Sequence, residues 1–197
     1  MVRNWAEGLS GPVTRELKKA MHRLRYPRGV VLYRQSDQAC SLFLLLEGKV
    51  RLTVGGSSGK RIIVRLVSPS ETFGLSSLLE NSPYRATAES FTPCEVGHLP
   101  RSEFVRLRRR FPELDAWAAD QLISELHQTL EVTANLATAP SMEAKLVYLV
   151  LLLAGNPKRS ARRKQLVLPI TQEEAALQLG VPARASTGRC RDCGAGA

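Results

Sequence analysis

The sequence predicts an α+β fold: a double-stranded β-helix (jelly roll), then one long helix, then part of a winged helix-turn-helix. Three observations predict it. Between Val30 and Leu99, short apolar or alternating stretches are separated by Gly and Pro turns, and a recurrence of about 8–12 residues marks a β-sandwich or barrel of the jelly-roll type. At Pro100 the hydrophobic period becomes helical, and from Pro112 to about Ala137 no Gly or Pro interrupts it. Beyond Gly155, a short strand, a capped helix and a Gly-containing turn follow one another, which is the first half of a winged helix-turn-helix. The units expected are 1–111, 112–139 and 140–197.

The elements follow in order. Residues 12–25 place Val13, Leu17, Ala20, Met21 and Leu24 at helical spacing, and Pro27-Arg-Gly29 ends that helix. Strands are expected at Val30–Tyr33, Ser41–Leu46 (closed by Glu47-Gly48), Lys49–Val54, Arg61–Val67, Tyr84–Ser90 and Cys94–Leu99. Gly55-Gly-Ser-Ser-Gly59 reads as a hairpin loop and Pro69-Ser-Glu71 as a turn. Ser102 is the expected N-cap of a helix that Phe104 continues. Pro112 opens the long helix. Within it, Ala119, Leu122, Leu126, Thr129, Thr133 and Leu136 repeat in alternating steps of three and four, a coiled-coil seam. A second stripe, Leu114, Ile123 and Leu130, is expected to face the β-domain. A helix of about 25 residues spans ~38 Å, longer than a small domain needs for its own core, so the seam is expected to make a homodimer. Ser141 caps the next helix, which stops at Gly155-Asn-Pro157. Leu166–Ile170 is a short strand, and Thr171-Gln-Glu-Glu174 is a capping box opening Ala175–Leu179.

Composition narrows the function class. The chain has 197 residues, 44% apolar and 23% charged, enough to bury a core. No apolar run approaches the ~18–20 residues that span a bilayer, and the start lacks a secretory h-region. A cytoplasmic protein with no membrane partner is expected. The formal charge is +10, distributed as +10 over 1–110, −5 over 111–157 and +5 over 158–197. The run Lys158, Arg159, Arg162, Arg163, Lys164 suits phosphates if the fold presents it. Cys40 and Cys94 are expected to be reduced and buried. Cys190-Arg-Asp-Cys193 lacks the further ligands that zinc needs, and His22, His98 and His127 are scattered. No metal site is expected. A jelly-roll enzyme of the cupin kind needs a His/Glu metal set that His98 alone does not supply, so no enzyme is expected.

The order of parts and several motifs together resemble the Crp/Fnr family of bacterial transcription regulators, from about Arg28 to Val181. The matching stretches are Arg28-Gly-Val-Val-Leu-Tyr-Arg-Gln-Ser-Asp37, Leu42-Phe-Leu-Leu-Leu-Glu-Gly48-Lys-Val-Arg-Leu52, Phe73-Gly74, Tyr84-Arg-Ala-Thr-Ala88, Asn135-Leu-Ala137 and Thr171-Gln-Glu-Glu174 with Leu179-Gly180-Val181. The resemblance implies a cyclic-nucleotide-binding-like sensor domain, a dimerisation helix and a DNA-binding domain. It implies DNA, a second copy of the chain and RNA polymerase as partners. An effector pocket is implied at Phe73, Gly74, Leu75, Ser76, Arg85, Ala86, Thr87 and Thr129, and DNA contacts at Thr171, Gln172 and the basic run.

The pocket departs from the family's cyclic AMP binders. Arg85 falls at the phosphate Arg position, or else pairs with an acidic side chain across the sheet. Leu75 stands where a Glu accepts from the ribose, and a Leu accepts nothing. Ala86 stands where a Ser or Thr is common, and Thr129-Leu130 stands where a Thr-Ser pair meets the base. An unpaired buried hydroxyl costs about 1–3 kcal/mol, so another small molecule, or no effector, is expected. No cofactor is otherwise implied. The family's recognition helix should follow Val181, but Pro182–Ala197 has no apolar residue larger than Cys. Shifting the frame by one nucleotide over Arg184–Cys193 permits a Val-x-Arg-x-Leu helical pattern, so a frameshifted or truncated C-terminus is expected. The alternative function is therefore a sensor and dimer module defective in DNA binding.

Overall fold

The computed structural model describes residues 5–55 and 61–154. Helix α1 (Gly11–Ala20) leads into β1 (His22–Tyr26), β2 (Val31–Tyr33), β3 (Ser41–Glu47), β4 (Val50–Gly55), β5 (Arg61–Val67) and β6 (Thr72–Phe73). A short helix α2 (Leu75–Glu80) precedes β7 (Thr87–Ser90) and β8 (Cys94–Pro100). Three helices close the described chain: α3 (Arg101–Arg110), α4 (Glu113–Thr138) and α5 (Met142–Ala154). The strands form two four-stranded antiparallel sheets, ordered β1-β8-β3-β6 and β2-β7-β4-β5. This is the predicted α+β jelly roll followed by a long helix. Gly55, the first residue of the predicted hairpin loop, is the last of β4 and pairs with Arg61, and 56–59 lie outside the described residues.

Two cores explain the apolar patterning. Tyr33, Phe43, Leu45, Val50, Leu52, Val67, Phe73 and Val96 meet between the sheets. Val13, Leu17, Leu42, Leu78, Leu99, Phe104, Leu107, Leu114 and Trp117 form a second core beneath the helices. Strand β3 supplies both, with Phe43 and Leu45 facing the sheets and Leu42 the helices. That is why Leu42–Leu46 is a continuous apolar run: a strand covered on both faces cannot alternate. Gly48 ends β3 with φ +84°, and a Cβ there would collide with the Pro93 carbonyl, so only glycine suits this corner.

The structure corrects several expectations. The helix read over 12–25 ends at Ala20, and Met21 is already extended. His22–Tyr26 instead pairs antiparallel with β8, Leu24 opposite Val96. The backbone groups along β8 need partners, and this outweighs the helical spacing of Met21 and Leu24. Leu24 is half exposed on this edge, while Arg23 and Arg25 both reach Glu95; charged edge strands resist further pairing. Ser102 is not a cap: Pro100 holds that position, with Arg101 the first helical residue. Cys40 is exposed, whereas Cys94 is buried as expected. Ser141 does cap α5, its hydroxyl accepting from the Ala144 N–H at 3.1 Å.

On the β1–β8 face, half-buried His98 makes a 2.9 Å hydrogen bond with the Tyr26 hydroxyl and stands cross-strand from His22. Burial, with repulsion from His22 second, lowers its pKa from the ordinary 6.5. The fold therefore prefers the neutral ring. This contribution is present above the unfolded pKa and lost as pH falls through the depressed folded value. Thermal unfolding followed from pH 7.5 to 5 is expected to show falling stability, with a flatter profile for His98→Phe. A parent and a variant with the same slope would contradict this.

Candidate functional site

The site is built from the turn before α2, the loop before β7 and one face of α4. Gly74 precedes α2 in the left-handed region, φ +80°. The loop is pinned by Tyr84, whose ring stacks on Tyr33 at 3.8 Å. The Tyr84 hydroxyl donates to the Ser41 carbonyl and accepts from the Ser41 N–H, at 2.8 and 3.1 Å. The Tyr84 backbone pairs with Ser36 and Asp37. Tyr84, held by these contacts, places Arg85 and Ala86 at the mouth of a cavity of about 420 Å³ that lies between β4, β5 and α4.

Leu52, Val54, Val64, Leu122 and Leu126 make the apolar wall, while Ser76, Arg85, Thr129, Arg65 and Glu125 supply the polar groups. Ser76, Arg85, Ala86 and Thr129 are thus brought together as the sequence implied. Phe73, Gly74, Leu75 and Thr87 do not line it. Phe73 is buried between the sheets. Leu75 is fully buried (0% exposed) in the core beneath the helices. Thr87 accepts from the Gln35 N–H at 2.9 Å. The reason is helical geometry: Leu75 opens α2, and its apolar side chain and that of Leu78 turn together into the helical core, leaving the half-buried Ser76 toward the cavity.

Arg85 is 73% exposed and pairs with Glu80 at 3.0 Å, through the same α2 that opens at Gly74. The partner is thus a neighbour on α2, not the acidic side chain across the sheet that was expected. The pair holds the Glu80 carboxyl below its ordinary range, by hydrogen bonds from Arg85 and Ser82 and the Arg85 charge. Thr129 donates its hydroxyl to the Glu125 carbonyl at 2.9 Å, so the hydroxyl is anchored to the helix it sits on.

Sequence reasoning missed Arg65 and Glu125. Arg65 is 3% exposed in the middle of β5. Its Nη1 lies 3.0 Å from Glu125 Oε1, its Nη2 3.5 Å from Glu71 Oε2, and its Nε donates to Gln128 Oε1 at 2.7 Å. Gln128 in turn donates to Glu71 at 2.9 Å. Burial raises the Glu125 carboxyl above its ordinary range, and Arg65 pulls it back. Arg65 also lines a second cavity of about 700 Å³ on the other flank of α4, near Trp5, Glu71, His127 and Glu131. The missed signal was a lone Arg within Ile62-Ile63-Val64-Arg65-Leu66-Val67: a charge inside a strand of that kind needs a partner from another element.

Helix α4 turns Leu114, Trp117, Ala118 and Val132 inward. Ile123, Leu126 and Leu130 are 53%, 56% and 55% exposed. The expectation that Ile123 and Leu130 face the β-domain with Leu114 is therefore corrected; only Leu114 does. Along the expected seam, Ala119 and Leu126 are exposed, and Leu122, Thr129, Thr133 and Leu136 are half-buried. Leu122 packs on the helical core. The apolar stripe left open is Ala119, Ile123, Leu126 and Leu130, still in steps of four and three.

Thr171, Gln172, Lys158, Arg159, Arg162, Arg163 and Lys164 lie outside the described residues, as do Cys190 and Cys193. Among the described residues, no group of His, Cys, Asp and Glu side chains is placed to hold a metal ion, and no helix is long and apolar enough to cross a membrane.

Residues 23–111 match a family model described as a cyclic nucleotide-binding domain. The chain is 26% identical over 169 residues to the cAMP-activated global transcriptional regulator CRP of Pasteurella multocida, covering 85% of this chain and 80% of that protein. Over 87 residues it is 34% identical to the cyclic AMP receptor protein of Thermus thermophilus, covering 44% of this chain and 40% of that protein. A transcriptional regulator of the CRP family, also from Thermus thermophilus, superposes with a TM-score of 0.69 at 27% identity, over 86% of this chain and 83% of that one. The c-di-GMP responsive global regulator CLP of Xanthomonas campestris superposes with a TM-score of 0.75 at 18% identity, over 91% and 89%, a likeness of fold alone.

Proposed function

Because the chain belongs to the Crp/Fnr family of bacterial transcription regulators, we infer that it works as a cytoplasmic, homodimeric, DNA-binding regulator, not an enzyme, whose cavity holds a small effector other than cyclic AMP. Its units are the jelly roll 1–111, the dimerisation helix 112–139 and the DNA-binding domain 140–197, with RNA polymerase as a further partner. The observation that carries the reading is the position of the cavity. One wall belongs to the sheet, through Leu52, Val54 and Val64; the other is α4, through Leu122, Leu126 and Thr129. A ligand seated there touches both the sensor and the helix whose open stripe, sharing Leu126 with this wall, would meet a second copy. A switch needs a ligand to favour one of two helix arrangements, and a shared wall supplies that difference.

Two features speak against cyclic AMP. Leu75 is buried in the helical core and offers the ribose no acceptor. Arg85 is already paired with Glu80, so a cyclic phosphate would have to break that ion pair.

Selection of tight-binding duplexes from a random pool tests the regulator. The expected outcome is a palindrome whose half-sites are about one helical turn apart, since a two-fold dimer reads two equal sites, bound no more tightly when cyclic AMP is added. Tightening by micromolar cyclic AMP, lost in Arg85→Ala, would overturn the effector reading. Sequence-indifferent, salt-sensitive binding would favour the second reading, a sensor and dimer module without operator binding. That reading draws support from Pro182–Ala197, which has no large apolar side chain to seat a recognition helix.

A further inference from the structure

Between Ala118 and Val132, no residue of α4 is buried. Leu122 is half-buried against the helical core, and polar contacts join this stretch to the jelly roll. Thr72 Oγ1 donates to Gln121 Oε1 at 3.4 Å, and Arg65 reaches Glu125 and Gln128. The middle of the helix carries Ile123, Leu126 and Leu130 of the open stripe, so its seat depends on the charges around Arg65. Those charges do not cancel: one guanidinium faces two carboxylates, Glu71 and Glu125.

The two carboxylates are not equivalent. Glu71 accepts from the Gln128 amide at 2.9 Å and from the Ser68 N–H at 3.0 Å. Glu125 Oε1 has Arg65 Nη1 at 3.0 Å, but Nη1 and Glu125 Oε2 are both buried without an aligned hydrogen bond. Hydrogen bonds to a carboxylate favour its charged form, and burial without them disfavours it. Glu125 is therefore the member that a proton suits. Burial lifts its carboxyl above the ordinary range, Arg65 opposes this, and the like charge of Glu71 adds to it. The groups on the neighbouring elements do not neutralise it. From β2 comes Tyr33, whose phenol burial pushes up, so that it keeps its own proton. The loop before β7 brings Arg85 to the cavity that Glu125 lines, where Glu80 holds it. Asp120, His127 and Glu131 of α4 line the larger cavity on the other flank, which Glu125 does not.

We propose that Arg65, Glu71 and Glu125 form a proton-linked clasp, in which one proton taken up by Glu125 balances the cluster and seats the middle of α4 more firmly on the jelly roll. The proton comes from solvent by way of the cavity that Glu125 lines, and it turns one carboxylate into a carboxylic acid. Arg65 is left with Glu71 as its single counter-charge, and Gln128 still joins the two. Burial outweighs the attraction of Arg65, so losing the Glu125 charge is a net gain. A carboxyl lifted above its unfolded value is most costly when ionised, and that cost disappears as pH falls through the folded value. The bearing of the clasp on regulation rests on reading α4 as the dimerisation helix.

Amide hydrogen exchange on the full chain at pH 8 and pH 5.5, corrected for the intrinsic effect of pH on exchange, tests it. Protection of the α4 amides from Gln121 to Glu131 is expected to rise several-fold at the lower pH, and the parent profile alone decides this sign. Glu125→Gln is expected to show the high protection at both pH values. Glu71→Gln is expected to shrink the response, because Arg65 then answers Glu125 alone. A local readout is needed because His98 moves the stability of the whole chain in the opposite sense. Infrared difference spectra detect the proton itself, as a carboxylic acid band at pH 5.5 that Glu125→Gln lacks. Protection that is flat or falls with acid, a rise that survives Glu125→Gln, or an acid band unchanged by that variant would each overturn the proposal. The dimer reading fails separately: if sedimentation finds monomers at both pH values while α4 protection still follows Glu125, the clasp stands and its bearing on the dimer does not.

Discussion

Replacing Arg65 by alanine is expected to lower the unfolding free energy by about 3–5 kcal/mol, the cost of breaking a buried ion pair from one side. The side chain is 4% exposed and answers two carboxylates, Glu71 and Glu125. It also donates to Gln128, which itself donates to Glu71. Alanine removes the only cation of this set and leaves Glu125 and the Gln128 side-chain carbonyl without it, while Glu71 keeps Gln128 and the Ser68 N–H. Urea unfolding at pH 7.5 checks the size. The loss is expected to shrink as pH falls toward 4, because protonated carboxyls need no cation. Arg65→Met with Glu125→Leu is expected to recover part of it, since removing both charges is far cheaper than removing one. A loss below about 1 kcal/mol for the single change would show that the network is not held by this arginine.

Trp117→Ala is expected to cost about 3–5 kcal/mol, the range for removing a large aromatic side chain from a core. Trp117 is 3% exposed at the centre of the helical core, edge-on to Phe104 with centroids 6.4 Å apart. Its indole N–H donates to the Trp5 carbonyl at 2.8 Å. It therefore fastens both the first described residues and the start of α4 to the jelly roll. Trp117→Phe keeps most of the packing and loses the hydrogen bond, so about 1–2 kcal/mol is expected. Thermal and urea unfolding of the two variants separate the packing from the hydrogen bond. Equal losses for Phe and Ala would show that the Trp5 contact, not the ring, seats the helix.

What was legible of the site came from the family resemblance, and of the eight residues it implied, Ser76, Arg85, Ala86 and Thr129 line the cavity. Phe73-Gly74 was one of the matching stretches, and a left-handed Gly74 sets the turn into α2. Tyr84-Arg-Ala86, expected as the start of a strand, is instead the loop at the cavity mouth, with β7 beginning only at Thr87, and Thr129 stands on the facing helix. The residues that set the cavity's charge escaped notice. Arg65 and Glu125 stand 60 positions apart in the chain, and nothing near either one in sequence announces the other. Leu75 was legible as a loss of an acceptor, but its turn into the helical core depends on Leu78 and on three other helices that pack there.

By itself, the sequence determined the two-period plan: strands between Val30 and Leu99, a helical period from Pro100 onward, and the Ser141 cap. Alternation, turn glycines and caps act between residues a few positions apart, so they can be read in the order they are written. Only the tertiary structure decided that His22–Tyr26 leaves its helical pattern to cover the edge of β8. It alone decided that Ile123 and Leu130 face outward while Leu122 packs inward, and that Arg65 meets Glu71 and Glu125. Each of these is a choice between partners distant in the chain, settled by which backbone groups, apolar faces and charges would otherwise be buried unpaired.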